Sequence, residues 1–211
     1  MKIHAFISGD FSSAISRSIH SSYADYTFSE LPSVEIYKEW TVFEKSADIY
    51  LVILDAPNPS FCEKINDLCH DLEKAFIPII VEQPHINIGP VYLGQETACY
   101  SCYIDRVRQH SNKNEILDNL WRFYEANPTS APKGFHPADP DLISNWVLGH
   151  LESSFREIGG RIFRINLITR DSQSSSVIGV HGCKRCGLNR DEATRSYDLL
   201  YEELFRKEVK V

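Results

Sequence analysis

Apolar residues near the start of the chain form a short run, then recur at helical spacing, then form a run again. Ile3 to Ser8 reads as a buried strand, Gly9-Asp10 punctuates it, and Phe11, Ala14, Ile15 and Ile19 mark one face of a helix over Phe11 to His20. Leu31-Pro32 is a break, and Val34-Glu35-Ile36-Tyr37 alternates like a short strand. Asp48 to Asp55 is almost continuously apolar, as expected for a parallel strand covered on both faces. After Ala56-Pro57-Asn58-Pro59, Ser60 is the expected cap of a helix running to about Phe76, with Glu63 completing a capping box. Ile77 to Glu82 is the next strand. The alternation predicts a small doubly wound α/β domain with right-handed crossovers.

Ile86 to Tyr92 is a further strand candidate ending at Gly94, followed by helical patterns over Tyr103 to His110 and Asn114 to Tyr124. Residues 127–137, rich in Pro, Ser and Gly, read as a linker between a front portion, 1–126, and a back portion, 138–211. In the back portion, Asp139 caps and Pro140 opens a helix with Leu142, Ile143, Trp146, Val147, Leu151 and Phe155 as its apolar stripe, stopped by Gly159-Gly160. Arg161 to Thr169 alternates, Asp171 to Ser175 turns, and Ser176 to His181 is expected to return as the second strand of a hairpin. Leu199 to Phe205 lies in a closing amphipathic helix.

Composition adds limits. The 211 residues carry a net charge of -7, against the footprint of a non-specific nucleic-acid binder. No run is long enough for a membrane span and no signal-peptide pattern opens the chain, so a cytoplasmic protein is expected. In a reducing compartment, six cysteines point to metal, core or catalytic roles rather than disulfides. Cys62 and Cys69 share a helix face and are expected in the core. Cys99-Tyr100-Ser101-Cys102 and Cys183-Lys184-Arg185-Cys186 are two CxxC knuckles, which together supply the four thiolates of a closed structural zinc site. Two redox dithiols or unpaired thiols are the alternative. Gly182 and Gly187 flank the second knuckle, and His181 precedes it as either an outer contact of the metal site or an exposed residue. Arg106, Arg108, Lys184, Arg185 and Arg190 place positive charge nearby, as a solvated rim or a surface for an acidic partner.

The turn Ser8-Gly9-Asp10-Phe11-Ser12-Ser13 is a poor phosphate loop: one glycine remains, Phe11 is bulky, and Asp10 is negative where phosphate would arrive. Asp55, at the carboxyl end of a central strand, is either a ligand-binding group or a turn and cap residue. No catalytic residue is assigned, since serine-hydrolase, P-loop and base-deaminase patterns are missing.

Asp48 to Asp55 resembles the Asp-bounded strand of ThiF/MoeB-type proteins, relatives of ubiquitin-activating enzymes. Ile88 to Arg106, containing Gly89-Pro90, Gly94 and the first knuckle, is similar to an element of the ThiF-like subunit of azoline-forming synthetases, and His181-Gly182-Cys183-Lys184-Arg185-Cys186-Gly187 is similar to the segment closing their zinc site. The resemblance spans roughly residues 3 to 187. It implies a truncated ThiF-like Rossmann sheet with a four-cysteine zinc site (Cys99, Cys102, Cys183, Cys186) and a C-terminal hairpin-helix portion. It also implies a non-catalytic subunit that presents a ribosomal precursor peptide to a YcaO-type, ATP-dependent cyclodehydratase. Tyr100, Tyr103 and Arg106, beside the first knuckle, are the expected partner contacts, because a bound metal would hold their backbone rigid; local packing is the alternative for the two tyrosines. ATP binding by this chain is not expected, because too few positions separate Gly9 from Asp55 for the elements that embrace ATP in active relatives. The sequence opens at the first Rossmann-like strand rather than with a winged-helix leader-recognition module, so the expectation is that another polypeptide supplies that module or that the chain is a scaffold. A homodimer through the sheet edge, a compact adenylating enzyme and a zinc-knuckle interaction module stay open as alternatives.

Overall fold

The computed structural model describes residues 1–30, 46–94, 97–153, 155–180 and 183–186. The elements are β1 (Ile3–Ser8), α1 (Asp10–Ser22), β2 (Tyr26–Glu30), β3 (Ile49–Leu54), α2 (Pro59–Asp71), β4 (Ala75–Glu82) and β5 (His85–Ile88). There follow α3 (Tyr100–His110), α4 (Asn114–Ala126), α5 (Asp139–Ser153), β6 (Arg161–Asn166) and β7 (Ser172–Ser176). The expected strand at 34–37, the closing helix at 199–205, His181, Gly182, Gly187 and Arg190 lie outside the described residues.

All seven strands join one sheet in the order β2-β1-β3-β4-β5-β6-β7. The first three pairings are parallel and the last three antiparallel. Both faces are covered, which is why β3 is buried at every position. Ile3, Ala5, Ile7, Leu51 and Ile53 pack under α1 and α5, whereas Phe6, Tyr50, Val52 and Leu54 pack under α2, α3 and Trp121 of α4. Both sides of the 127–137 segment share this core, because β6 pairs with β5 and α5 packs on α1. No helix among the described residues is long and apolar enough to cross a membrane.

Local chemistry explains where boundaries depart from the sequence pattern. Asn58, not Ser60, caps α2: its side chain accepts from Phe61 N at 3.0 Å, and Pro59 takes the first helical position, where no donor is needed. That helix stops at Asp71 rather than near Phe76, with Glu73 left-handed at φ 54° and Lys74 N donating to Cys69 O at 2.8 Å, so Ala75 and Phe76 open β4. Strand β5 ends at Ile88 rather than Tyr92. Gly89, at φ 105°, approaches β6 so closely that a Cβ would lie 2.4 Å from Arg161 O. The first hairpin strand stops at Asn166, whose side chain accepts from Ile168 N and Thr169 N at 2.9 and 3.1 Å. The return strand is therefore Ser172–Ser176, not Ser176 to His181. The unforeseen β2 buries Tyr26 but leaves Phe28 39% exposed, which erases the alternation that would mark it.

Candidate metal centre and a filled cleft

The chain order changes direction between β1 and β3, and in open α/β sheets ligands bind at such a point, beyond the carboxyl ends of the strands. Here the position is taken by the protein itself. Asp55 is buried, and its Oδ2 accepts from Phe11 N at 3.0 Å while Oδ1 accepts from Ser12 N at 2.7 Å and from Ser12 Oγ at 2.5 Å. A carboxylate thus satisfies the first amides of α1, the groups a phosphate would use. Of the two readings of Asp55, the cap is the one realised. Gly9, at φ 114°, permits it, since a Cβ there would stand 2.2 Å from Asp55 Cγ. The 127–137 segment closes the top: Phe135 stacks on Phe11 with centroids 4.7 Å apart, and a cavity of about 150 Å³ remains beneath it.

On the opposite face, the two knuckles meet. Cys99 precedes α3, Cys102 lies in its first turn, and the four sulfurs of Cys99, Cys102, Cys183 and Cys186 lie within 4.8 Å of one another. Individual separations are 3.7 Å (Cys99 to Cys102), 3.6 Å (Cys99 to Cys183) and 3.3 Å (Cys102 to Cys186). A metal held tetrahedrally at about 2.3 Å from each sulfur sets them roughly 3.8 Å apart, whereas a disulfide needs about 2.05 Å. The donor set therefore has the size and softness for a metal ion. As thiols, Cys99 and Cys102 are held against ionisation. Contacts with Cys102 and Cys186, then burial, push Cys99 far up, and Cys102 is pushed up to about 11, first by Cys186. A divalent cation among them reverses that sign.

The surroundings hold the sulfurs in place. Val180 N donates to Cys102 Sγ at 3.2 Å, and Cys183 N to Val180 O at 3.1 Å. Arg106 ties α3 to the segment leading into the second knuckle, donating to Ile178 O and Gly179 O, both at 3.2 Å. Sequence reasoning missed the supports on α2. Asn66 is buried and accepts from Tyr100 N at 2.7 Å, Glu63 accepts from Ser101 Oγ at 3.2 Å, and Asp67 pairs with Arg185, which also donates to Ser101 Oγ at 2.8 Å. Their spacing of three and four residues places Glu63, Asn66 and Asp67 on one side of the helix, a polar stripe that could have drawn notice.

The expected partner contacts separate in the fold. Tyr100 is buried against Phe76 and Tyr103, whereas Tyr103 is half-buried and lines the surface cavities beside α3. Of the expected basic rim, Arg108 pairs with Asp118 at 3.1 Å and lies over Trp121, Arg185 is held by Asp67, and Lys184 is exposed. Cys62 and Cys69 are fully buried on α2, and burial pushes the Cys62 thiol up to about 12.

No family model matches the sequence, and no curated protein does. Solved structures share the fold. A heterocyclase bound to substrate and cofactor is 16% identical with a TM-score of 0.58, over 88% of this chain and 25% of that one. A chain of the E. coli microcin synthetase McbBCD complex is 16% identical with a TM-score of 0.62, over 87% of this chain and 67% of that one. E. coli MccB is 15% identical with a TM-score of 0.54, over 89% and 65%. The described chain spans about a quarter of the heterocyclases it matches. Its fold is one found in components of heterocyclase and microcin synthetases.

Proposed function

We propose that this chain is a non-catalytic, ThiF-like subunit of an azoline-forming peptide-modification complex, which holds structural zinc and assists a YcaO-type cyclodehydratase in handling a ribosomal precursor peptide. The observation that carries the reading is the filled cleft. With Asp55 bound to the amides of Phe11 and Ser12, a nucleotide would have to displace a buried carboxylate to reach the helix N-terminus. The first amides of α1 that would meet phosphate are already bonded to Asp55, which supports the reading of a chain that does not use ATP. The resemblance of both knuckles to azoline-synthetase elements, and the fold shared with heterocyclase and microcin-synthetase chains, supply the pathway class.

Zinc fits the four cysteines on donor type and spacing. Cys99, Cys102, Cys183 and Cys186 would hold it, and bound there it joins the segment after β7 to α3, with no open position for a reacting group. Tyr103 and Arg106 remain the candidate contacts for the larger enzyme, on backbone that the knuckle keeps rigid. Tyr100 acts beneath them as packing.

Two measurements test the reading. Purified protein is expected to give no pyrophosphate exchange with ATP and amino acids or peptides, and exchange abolished by Asp55→Asn would promote the adenylating alternative. Heterocycle formation is expected only when the chain is combined with the YcaO-type enzyme and the precursor encoded beside it. A partner enzyme that works at full rate without this chain overturns the proposal.

A further inference from the structure

Strand β7 is Ser172-Gln173-Ser174-Ser175-Ser176, exposed at every position, and it ends the sheet order. Among the described residues, β6 is its only strand partner. Edge strands are normally protected by charge, proline or a covering element, because open N–H and C=O groups pair with other chains. This edge carries neither charge nor proline.

What lies beside the edge distinguishes it from a bare terminus. Two adjoining cavities of about 430 and 440 Å³ run between α3 and the hairpin, sharing Tyr103, Val107, Ile162 and Ser175 as walls. Register explains the arrangement. Ser175 stands opposite Ile162 and Gln173 opposite Arg164, four residues of one face that line these cavities; Ser174 and Ser176 border them as well, whereas Phe163, opposite Ser174, packs on Trp146 at 4.6 Å on the other side. A strand added to β7 would therefore direct every second side chain toward the cavities. Glu82 lines the 430 Å³ cavity and, among the described residues, accepts a single hydrogen bond, from Asn87 Nδ2 at 2.7 Å, leaving acceptor capacity for a donor on the occupant.

The geometry points to β7 and the adjoining groove as a docking site for an extended peptide segment with apolar side chains at alternate positions, added as an eighth strand. A second copy of this chain is the poorer occupant. Its own β7 would bring only Ser and Gln side chains to walls whose apolar part is Leu117, Trp121, Val107, Ile162, Val177 and Ile178. The main chain of the occupant supplies affinity and its alternate side chains supply selectivity. The natural occupant's identity as a precursor peptide rests on the function proposed above, but the binding step does not require the partner enzyme.

The test uses the full-length protein and a short synthetic peptide of alternating Leu and Thr, blocked at both ends and fluorescein-labelled, read by anisotropy and by hydrogen exchange of amides 172–176. Binding with new protection of those amides is expected. It should weaken about tenfold or more with Ser175→Lys, which sets a charge in the groove, and with a peptide N-methylated at alternate residues, which cannot pair. No binding at roughly 1 mM peptide, or binding unchanged by both alterations, overturns the site. Those amides of 172–176 that face away from β6, if already protected in peptide-free protein, assign the edge to another part of this chain, or to a second copy if protection depends on concentration, and also overturn it. Because no heterocyclisation is measured, peptide binding that holds while reconstitution with the YcaO-type enzyme fails would sink the proposed function and leave this site standing.

Discussion

Replacing Asp55 by Ala removes the acceptor for three groups at once: Phe11 N, Ser12 N and Ser12 Oγ. Phe11 is 4% exposed and Ser12 0%, so water cannot readily take over from the carboxylate. A buried donor left unpaired costs about 1–3 kcal/mol, and losing the cap and the charge at the helix N-terminus acts on the same groups. Two stranded amides and a stranded hydroxyl set the expected loss at about 3–6 kcal/mol, a large share of the roughly 5–15 kcal/mol that stabilises an ordinary domain. Asp55→Asn should cost less, about 1–3 kcal/mol, because the carboxamide oxygen still serves Ser12 while its NH2 group faces the donor of Phe11. Urea unfolding, followed by far-ultraviolet circular dichroism and by tryptophan fluorescence, measures both. If Asp55→Ala lies within about 1 kcal/mol of wild type with an unchanged m-value, the carboxylate is not holding α1, and the account of the filled cleft is wrong.

Purified protein should contain close to one zinc per chain, released by chelation and lost together when any of Cys99, Cys102, Cys183 or Cys186 becomes Ser; metal-free protein of equal melting temperature would refute this, since structural zinc in peptides contributes roughly 10–16 kcal/mol. Burial raises the Glu82 pKa above its ordinary 4.5, against smaller opposing effects of Asn87 and Arg164. The folded state therefore keeps that proton to higher pH than the unfolded chain, so its contribution is complete below the unfolded value and is lost as pH rises through the folded one. Glu82→Gln should accordingly stabilise the protein at neutral pH and flatten its pH profile above about 4.5, checked by melting temperature against pH. Arg106→Ala should speed hydrogen exchange of residues 178–180 and weaken co-purification with the partner enzyme at preserved zinc content, and if neither changes, Arg106 serves neither role.

Core strands were legible along the chain because burial on both faces demands unbroken apolar runs, and Ile49–Leu54 could be little else. The knuckles were legible because two cysteines three residues apart carry their chemistry in their spacing, and the single glycine after β1 already told against phosphate. Other features depend on residues that meet only after folding. Asp55 read in the sequence more readily as a turn or cap residue than as a ligand-binding group, and it is the cap because β3 ends beside the first turn of α1. Asn66 and Asp67 look like an exposed helix face until α3 and the second knuckle arrive to be held. Strand β7 has no hydrophobic pattern at all, since every one of its positions is exposed, and only pairing with β6 makes it a strand. Periodicity records which face of an element is buried. It is silent on polar contacts between distant segments, and those decided both the filled cleft and the exposed edge.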